Sequence, residues 1–189
     1  MCSSDLGSAR AYWEDHQIAS IGIRPFVVYG PGRESGLSAG PSLACRAAAL
    51  GEAYEIPFTG SAGMVYVEDV ALAYEAAVKS AFTGAHTLNL TGQIASMQDV
   101  ITAIHQVIPT ARVSCKGPPL PSAADSVNEY NNGLLPLGAE KSLLEGVKET
   151  IHYYQSLALS NSSSDFQGVV AQYHEHRLRQ PYKTRHKDH

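Results

Sequence analysis

Three observations predict an α/β fold built on a parallel sheet. Ile21 to Val28 form a nearly continuous apolar and β-branched run, and a run without polar alternation suits a parallel strand covered on both faces. The run stops at Tyr29-Gly30-Pro31-Gly32, a turn at the carboxyl end of the strand, which is where ligands bind in open parallel sheets. Beyond it, short apolar stretches alternate with helical patterns as far as residue 157, the order expected of strands joined by crossover helices.

Each element has a local reason. Residues 8–17 read as the end of a helix with Ala11, Tyr12 and Ile18 turned inward. The loop 29–40 is rich in Gly and Ser and too long for a plain connector. Pro41 opens a helix to about Leu50, and Gly51 stands just past its end, the preferred places for those two residues. Tyr54–Pro57 is a short strand. Met64–Val67 leads into Glu68-Asp69 and a helix through about Ala81, with both acids at the positive end of its dipole. We read them as helix-start residues rather than catalytic carboxylates. His86–Leu90 is another strand. Ser96-Met97-Gln98-Asp99 reads as a capping box opening a helix to about Ile108. Ala111–Cys115 is a further strand, and residues 117–140, rich in Pro, Gly, Ser and Asn, are expected to be irregular. The last helix spans Leu143–Leu157, with Leu144, Val147, Ile151, Tyr154 and Leu157 on one face.

Composition narrows the function classes. A chain of 189 residues with 44% hydrophobic and 17% charged residues has the make-up of a globular protein with a real core. A net charge of -4 gives no electrostatic case for nucleic acid or anionic membranes as partners. No apolar run is long enough to span a bilayer, and the N-terminus has no basic region followed by an apolar core. Cys2, Cys45 and Cys115 are odd in number and lack C-x-x-C spacing, so they are expected as free thiols in a reducing, cytoplasmic setting.

The segment Arg24-Pro25-Phe26-Val27-Val28-Tyr29-Gly30-Pro31-Gly32 resembles the R-P-x-x-V-Y-G-P-G signature of the NAD-dependent epimerase/dehydratases, the extended short-chain dehydrogenase/reductases. Val67-Glu68-Asp69-Val70-Ala71, Thr87-Leu88-Asn89-Leu90, Leu137-Gly138 and Leu144-Glu145-Gly146 through Tyr154 continue the likeness in order. The resemblance covers roughly residues 7–157. It implies the C-terminal part of a Rossmann-type parallel sheet together with a small α/β substrate-binding subdomain. It also implies NAD or NADP as cofactor, a small-molecule substrate, and a possible homodimer for the full-length parent. Pro25 and Phe26 would lie beside the nicotinamide ring. Val27, Tyr29 and Arg33 would line the substrate pocket, with Arg33 able to take an acidic group in a bidentate contact.

Two departures bear on the substrate. Many nucleotide-sugar enzymes of that family hold substrate with an Asn where this chain has Val27, and with an Arg where it has Ala62 followed by Gly63. Without that guanidinium a diphosphate loses its clamp, so a smaller sugar-like or carbonyl substrate is expected. The family's Y-x-x-x-K pair, which moves the proton while hydride is transferred, falls upstream of the segment matched here. No catalytic residue is therefore assigned, and the chain alone is expected to be inactive. Nor does Gly30-x-Gly32-x-x-x-Gly36 replace the family's phosphate-binding turn, because Pro31 has no N–H and no helix starts promptly after it.

Residues 1–6 are expected to be non-native, since Cys2-Ser3-Ser4-Asp5-Leu6 is one reading frame of TGC TCT TCC GAT CT, the end of a sequencing adapter. Residues 7–158 are expected to form the C-terminal part of the enzyme and 159–189 a disordered tail. His174, His176, His186 and His189 in that tail are not assigned to a metal, as loose histidines without a rigid surround are usually solvated. The alternative to an enzyme fragment is a non-catalytic dinucleotide-binding or scaffold protein of the same fold.

Overall fold

The computed structural model describes residues 3–120 and 135–162, with side chains for 7–120 and 135–160. The expected irregular segment falls partly outside these residues; of the expected tail 159–189, residues 159–162 instead continue the last helix, and the rest lies outside the described residues. In order the elements are α1 (Ser3–His16), β1 (Ser20–Pro25), β2 (Val27–Tyr29), α2 (Gly40–Leu50), β3 (Ala53–Ile56), β4 (Ser61–Tyr66), α3 (Val67–Lys79), β5 (Ala85–Leu90), β6 (Gln93–Ser96), α4 (Met97–Val107), β7 (Arg112–Cys115) and α5 (Leu143–Ser162). The chain divides into a unit Met1–Tyr154 and a second, Gln155–His189. Everything below concerns the first.

The α/β class holds, and the described strands are arranged in parallel pairs with one antiparallel exception. β1 pairs with β5 in parallel, Ile23 opposite Leu88 and Pro25 opposite Leu90. β2 pairs in parallel with β4, Tyr29 opposite Tyr66, and β6 adds antiparallel to the other side of β4. β3 and β7 form a third parallel pair.

The single strand expected over Ile21–Val28 is two strands. Phe26 donates its N–H to the Leu90 carbonyl at 3.0 Å, and the next residue, Val27, already faces Met64 on β4. The chain changes partner between Phe26 and Val27, leaving β5 and joining β4. β6 was not anticipated. At four residues it is too short to show a period, and it runs straight into the cap of α4.

The helix ends follow local chemistry. In α2, Pro41 sits in the first turn, and Gly51 takes a left-handed conformation at φ 69° while its N–H closes onto Ala47 and Ala48 carbonyls. The capping box at α4 is formed. The Ser96 hydroxyl accepts the Asp99 N–H at 3.1 Å, and the Asp99 carboxylate accepts the Ser96 N–H at 2.8 Å. α3 stops at Lys79, two residues short of expectation.

Two apolar clusters hold the unit together. The larger joins Val27 and Tyr29 to Ala44 and Cys45 of α2, Val100 and Ile104 of α4, and Val147 and Ile151 of α5. The smaller gathers Ile23, Leu88 and Leu90 with Val65, Ala73 and Leu135, and Phe26 packs on its rim. Successive strand residues face opposite sides, so β4 serves both clusters, Met64 and Tyr66 turning to the larger and Val65 to the smaller. On α5, Val147 and Ile151 are fully buried and Tyr154 nearly so, as the helical spacing implies, and Leu144 is half-buried. Burial of such side chains contributes about 1.5–3 kcal/mol each. Ala11, Tyr12 and Ile18 are all exposed, contrary to expectation; α1 half-buries Ala9 and Trp13 instead, one helical turn apart.

Candidate functional site

The candidate site lies at the partner change after Phe26. The carboxyl ends of the parallel strands β1 and β5 meet at Pro25 and Leu90, and β2 continues for only three residues before the loop Gly30–Ala39. A crevice at the carboxyl ends of parallel strands, where the chain diverges between two neighbours, is the usual ligand position in open sheets. Pro25 and Phe26 are half-buried at this point.

The loop is fixed rather than loose. Gly30 has φ 135°, and a Cβ there would lie 2.6 Å from Val67 Cγ1, so only glycine fits. Its N–H donates to the Ser42 hydroxyl of α2 at 3.1 Å, which gives that wholly buried hydroxyl a partner. From α5, Tyr154 accepts the Gly32 N–H at 3.3 Å and donates its own proton to Glu34 at 3.0 Å. Glu34 also lies 3.7 Å from Arg46. The turn is thus tied to α2 and α5 at three consecutive even positions.

The residues singled out from the sequence have distinct settings. Val27 is buried in the larger cluster beside Ala62 and Met64. Tyr29 is 1% exposed, stands edge-on to Tyr66 with centroids 5.6 Å apart, and aims its hydroxyl at the Leu143 carbonyl at 3.5 Å. Gly146 permits this approach, since a Cβ at that position would run into the Tyr29 hydroxyl. Burial is the main reason the Tyr29 hydroxyl is held well above the ordinary tyrosine range. Burial likewise pushes Tyr66 up to about 12, and burial with the Glu34 bond pushes Tyr154 up to about 12. Tyr29 and Tyr154 donate hydrogen bonds to the Leu143 carbonyl and to Glu34.

Arg33 is half-buried in the loop, its guanidinium laid against Gly36 and its Nη2 3.4 Å from the Ser38 hydroxyl. None of the ten tyrosines in the sequence is followed by lysine four residues on, so no Y-x-x-x-K pair is present.

A charged cluster behind Tyr66 was missed at the sequence level. Lys141 Nζ lies 2.8 Å from Glu68 and 2.6 Å from Glu149, and 4.6 Å from the centroid of the Tyr66 ring. Its backbone N–H donates to Asp69 at 3.1 Å. Hydrogen bonds to Glu149 and then Glu68 raise the Lys141 pKa, and the bond to Lys141 lowers that of Glu149. Glu68 and Asp69 thus anchor the segment before α5 in addition to opening α3. Only a strong sequence signal linking positions about seventy apart would have found this, and none exists.

A separate shallow depression is lined by Val65, Asp69, Leu72, Leu90, Leu137 and neighbouring residues to Glu140. None of Pro25, Phe26, Val27, Tyr29 or Arg33 lines it. Among the described residues there is no cluster of three His, Cys, Asp or Glu side chains able to hold a metal. No helix is long and apolar enough to cross a membrane, among the residues described.

Comparison with known proteins places this geometry. Neither the family models nor the curated proteins compared with the chain gave a match. Solved structures did. A UDP-glucose 4-epimerase from Thermotoga maritima, solved with UDP-glucose, aligns with a TM-score of 0.67 at 21% identity, over 82% of this chain and 52% of the epimerase. A UDP-glucose 4-epimerase from Thermus thermophilus in complex with NAD gives 0.62 at 17%, over 81% and 52%. A partial-consensus L-threonine 3-dehydrogenase gives 0.66 at 15%, over 81% and 54%. The chain thus has the fold of these Rossmann-type proteins and spans about half the length of each.

Proposed function

We propose that this chain carries the nicotinamide-side wall and part of the substrate pocket of an NAD(P)-dependent epimerase, dehydratase or reductase. The observation that carries the reading is the partner change at Pro25–Phe26, where the carboxyl ends of β1 and β5 meet beside a loop fixed by α2 and α5. The fold likeness to sugar epimerases, one of them solved with NAD, supports it. NAD is the cofactor we favour on that ground.

When bound, the nicotinamide supplies hydride acceptance and donation. The chain's own residues do the positioning. The backbone at Pro25 and the ring of Phe26 give one face of the nicotinamide an apolar seat and exclude water from it. The loop from Gly30 to Arg33 forms the substrate side, and Tyr29, buried against Tyr66 and Gly146, supports it from beneath. Val27 and Ala62 lie in the larger apolar cluster and offer no polar clamp, which is the ground on which we favour a substrate smaller than a nucleotide sugar. We assign proton transfer to no residue of the chain.

Fluorescence of the reduced dinucleotide tests the proposal. Titrating the chain with NADH is expected to shift and enhance nicotinamide emission, and Phe26→Ala is expected to weaken the response at least fivefold. An unchanged emission with wild-type protein, at dinucleotide concentrations up to the millimolar range, would count against the reading.

A further inference from the structure

We infer that two copies of this chain pair through the outer edge of β1, strand to strand and antiparallel, about a two-fold axis at Gly22. The inference is independent of the nicotinamide reading and starts from the backbone. Ser20 and Phe26 donate their N–H groups toward β5, to the Gly84 and Leu90 carbonyls, at 3.0 Å each. Successive peptide groups of a strand point to opposite edges, so Ile21 and Ile23 turn theirs outward. No strand among the described residues pairs with that edge.

β5 has an open outer edge too, but the two strands differ in character. β5 alternates: buried Leu88 and Leu90 flank half-buried Asn89, and half-buried Thr87 precedes them. That is the pattern of a strand that ends a sheet with one face wetted. The open part of β1 lacks the usual protection of an edge, since Ile21-Gly22-Ile23 carries no charge. Ile21 and Ile23 already face the smaller cluster, against Val70 and Ala73 of α3. Only Pro25, which has no N–H, limits pairing, and it does so at the carboxyl end.

The occupant follows from the self-complementarity of this segment. A two-fold axis at Gly22 sets Ile21 opposite Ile23 of the second copy, and the reverse, in the pairs that exchange both backbone bonds. Gly22 meets Gly22 of the second copy in a non-hydrogen-bonded pair, where the Cα atoms approach to about 4.5 Å, and it has no side chain to clash there. The next such pair sets Ser20 against Arg24. Ser20 Oγ and Arg24 Nε are the side-chain atoms of β1 that are buried without a hydrogen-bond partner among the described residues. Across the pair the half-buried Arg24 side chain can swing its guanidinium to donate to the Ser20 hydroxyl of the second copy, so one register serves both residues. The two-fold uses up the edge and closes, which gives a dimer rather than a fibre. Pro25 offers no donor, so the ladder weakens before Phe26 and leaves the carboxyl ends of β1 and β5 free.

Sedimentation equilibrium of the full chain, with NMR of the same samples, tests the inference. The wild type is expected to show a reversible monomer–dimer equilibrium. Amide exchange at Ile21 and Ile23 should slow at least tenfold between the dilute monomer and the concentrated dimer. Mixed labelled and unlabelled chains should give interchain NOEs between the Gly22 Hα protons and from Ser20 to Arg24. Ile21→Pro removes an outward N–H while sparing the Ser20 bond to β5, and is expected to raise the dimer Kd at least tenfold. Ser20→Lys sets like charges opposite each other and should raise it at least fivefold, whereas Ser20→Asp sets opposite charges together and should lower it at least twofold. The amide spectrum of dilute protein verifies that each variant is folded, and the opposed Ser20 variants decide the matter if Ile21→Pro unfolds. Four results would each overturn the inference: a monomer at every concentration, slow exchange at Ile21 and Ile23 already in the dilute monomer, assemblies larger than a dimer or with interchain NOEs elsewhere, or equal Kd in Ser20→Lys and Ser20→Asp.

Discussion

Two of the four ion pairs among the described residues meet at Lys141. It bridges Glu68 and Glu149 and covers the Tyr66 ring. Its side chain is only 20% exposed, whereas both carboxylates are about half exposed, so solvent screens much of the attraction. Lys141→Met is expected to cost about 1 kcal/mol by chemical denaturation. The pH dependence has a definite sign. Glu149 is depressed in the folded protein, so its contribution is complete above the unfolded glutamate value of about 4.3 and is lost as pH falls through the lower folded value. Stability of the wild type should therefore fall more steeply below about pH 4.3 than that of Lys141→Met. Equal acid slopes would show that the bridge does not bind the segment before α5. None of this was readable from the sequence, because Lys141 and Glu68 are 73 positions apart and nothing local marks either as a partner. By contrast the roles of Pro41, Gly51 and the Ser96–Asp99 box were legible, since each is decided within one helical turn.

Among elements, α5 is the one that joins the site to the core. Gly146 lets Tyr29 approach, Val147 and Ile151 fill the larger cluster, and Tyr154 holds the loop at Gly32 and Glu34. Gly146→Ala improves helix propensity but drives a methyl group into the Tyr29 hydroxyl. The clash should win, at a net cost of about 1–3 kcal/mol. Ser96→Ala, which removes a cap far from the loop, should cost about 1 kcal/mol. Both are measured by urea denaturation, and only Gly146→Ala should also shift the backbone resonances of Gly30 to Glu34. The helical period exposed the inner face of α5 in the sequence. It said nothing of Gly146, because the reason for that glycine lies on β2. The split of the expected strand at Phe26 escaped for a similar cause: apolar content marks a strand but not the neighbour it pairs with.

At the scale of the unit, pairing is uneven. β4 is hydrogen-bonded on both sides, to β2 and β6, whereas β1 pairs with β5 alone among the described residues. Strand edges open more readily than strands paired on both sides. Amide exchange should therefore be at least tenfold slower at Met64 and Val65 than at Ile21 and Ile23. Exchange as slow in β1 as in β4 would mean that its outer edge is covered in solution. The order of strands and helices, and with it the fold, was legible because it depends on the succession of local patterns. The candidate site was legible only in outline: the Gly-Pro-Gly turn marks the loop proposed to carry it, while the contacts of Tyr154, Glu34 and Ser42 that fix that loop are long-range. That same outline leads to the central claim, that Pro25 and Phe26 seat a nicotinamide ring. The most direct measurement is of intermolecular NOEs between NAD and the isotopically labelled chain. The account predicts cross-peaks from the nicotinamide ring protons to Phe26 and Pro25, lost in Phe26→Ala. Cross-peaks confined to the adenine protons, or to residues away from the carboxyl ends of β1 and β5, would contradict it.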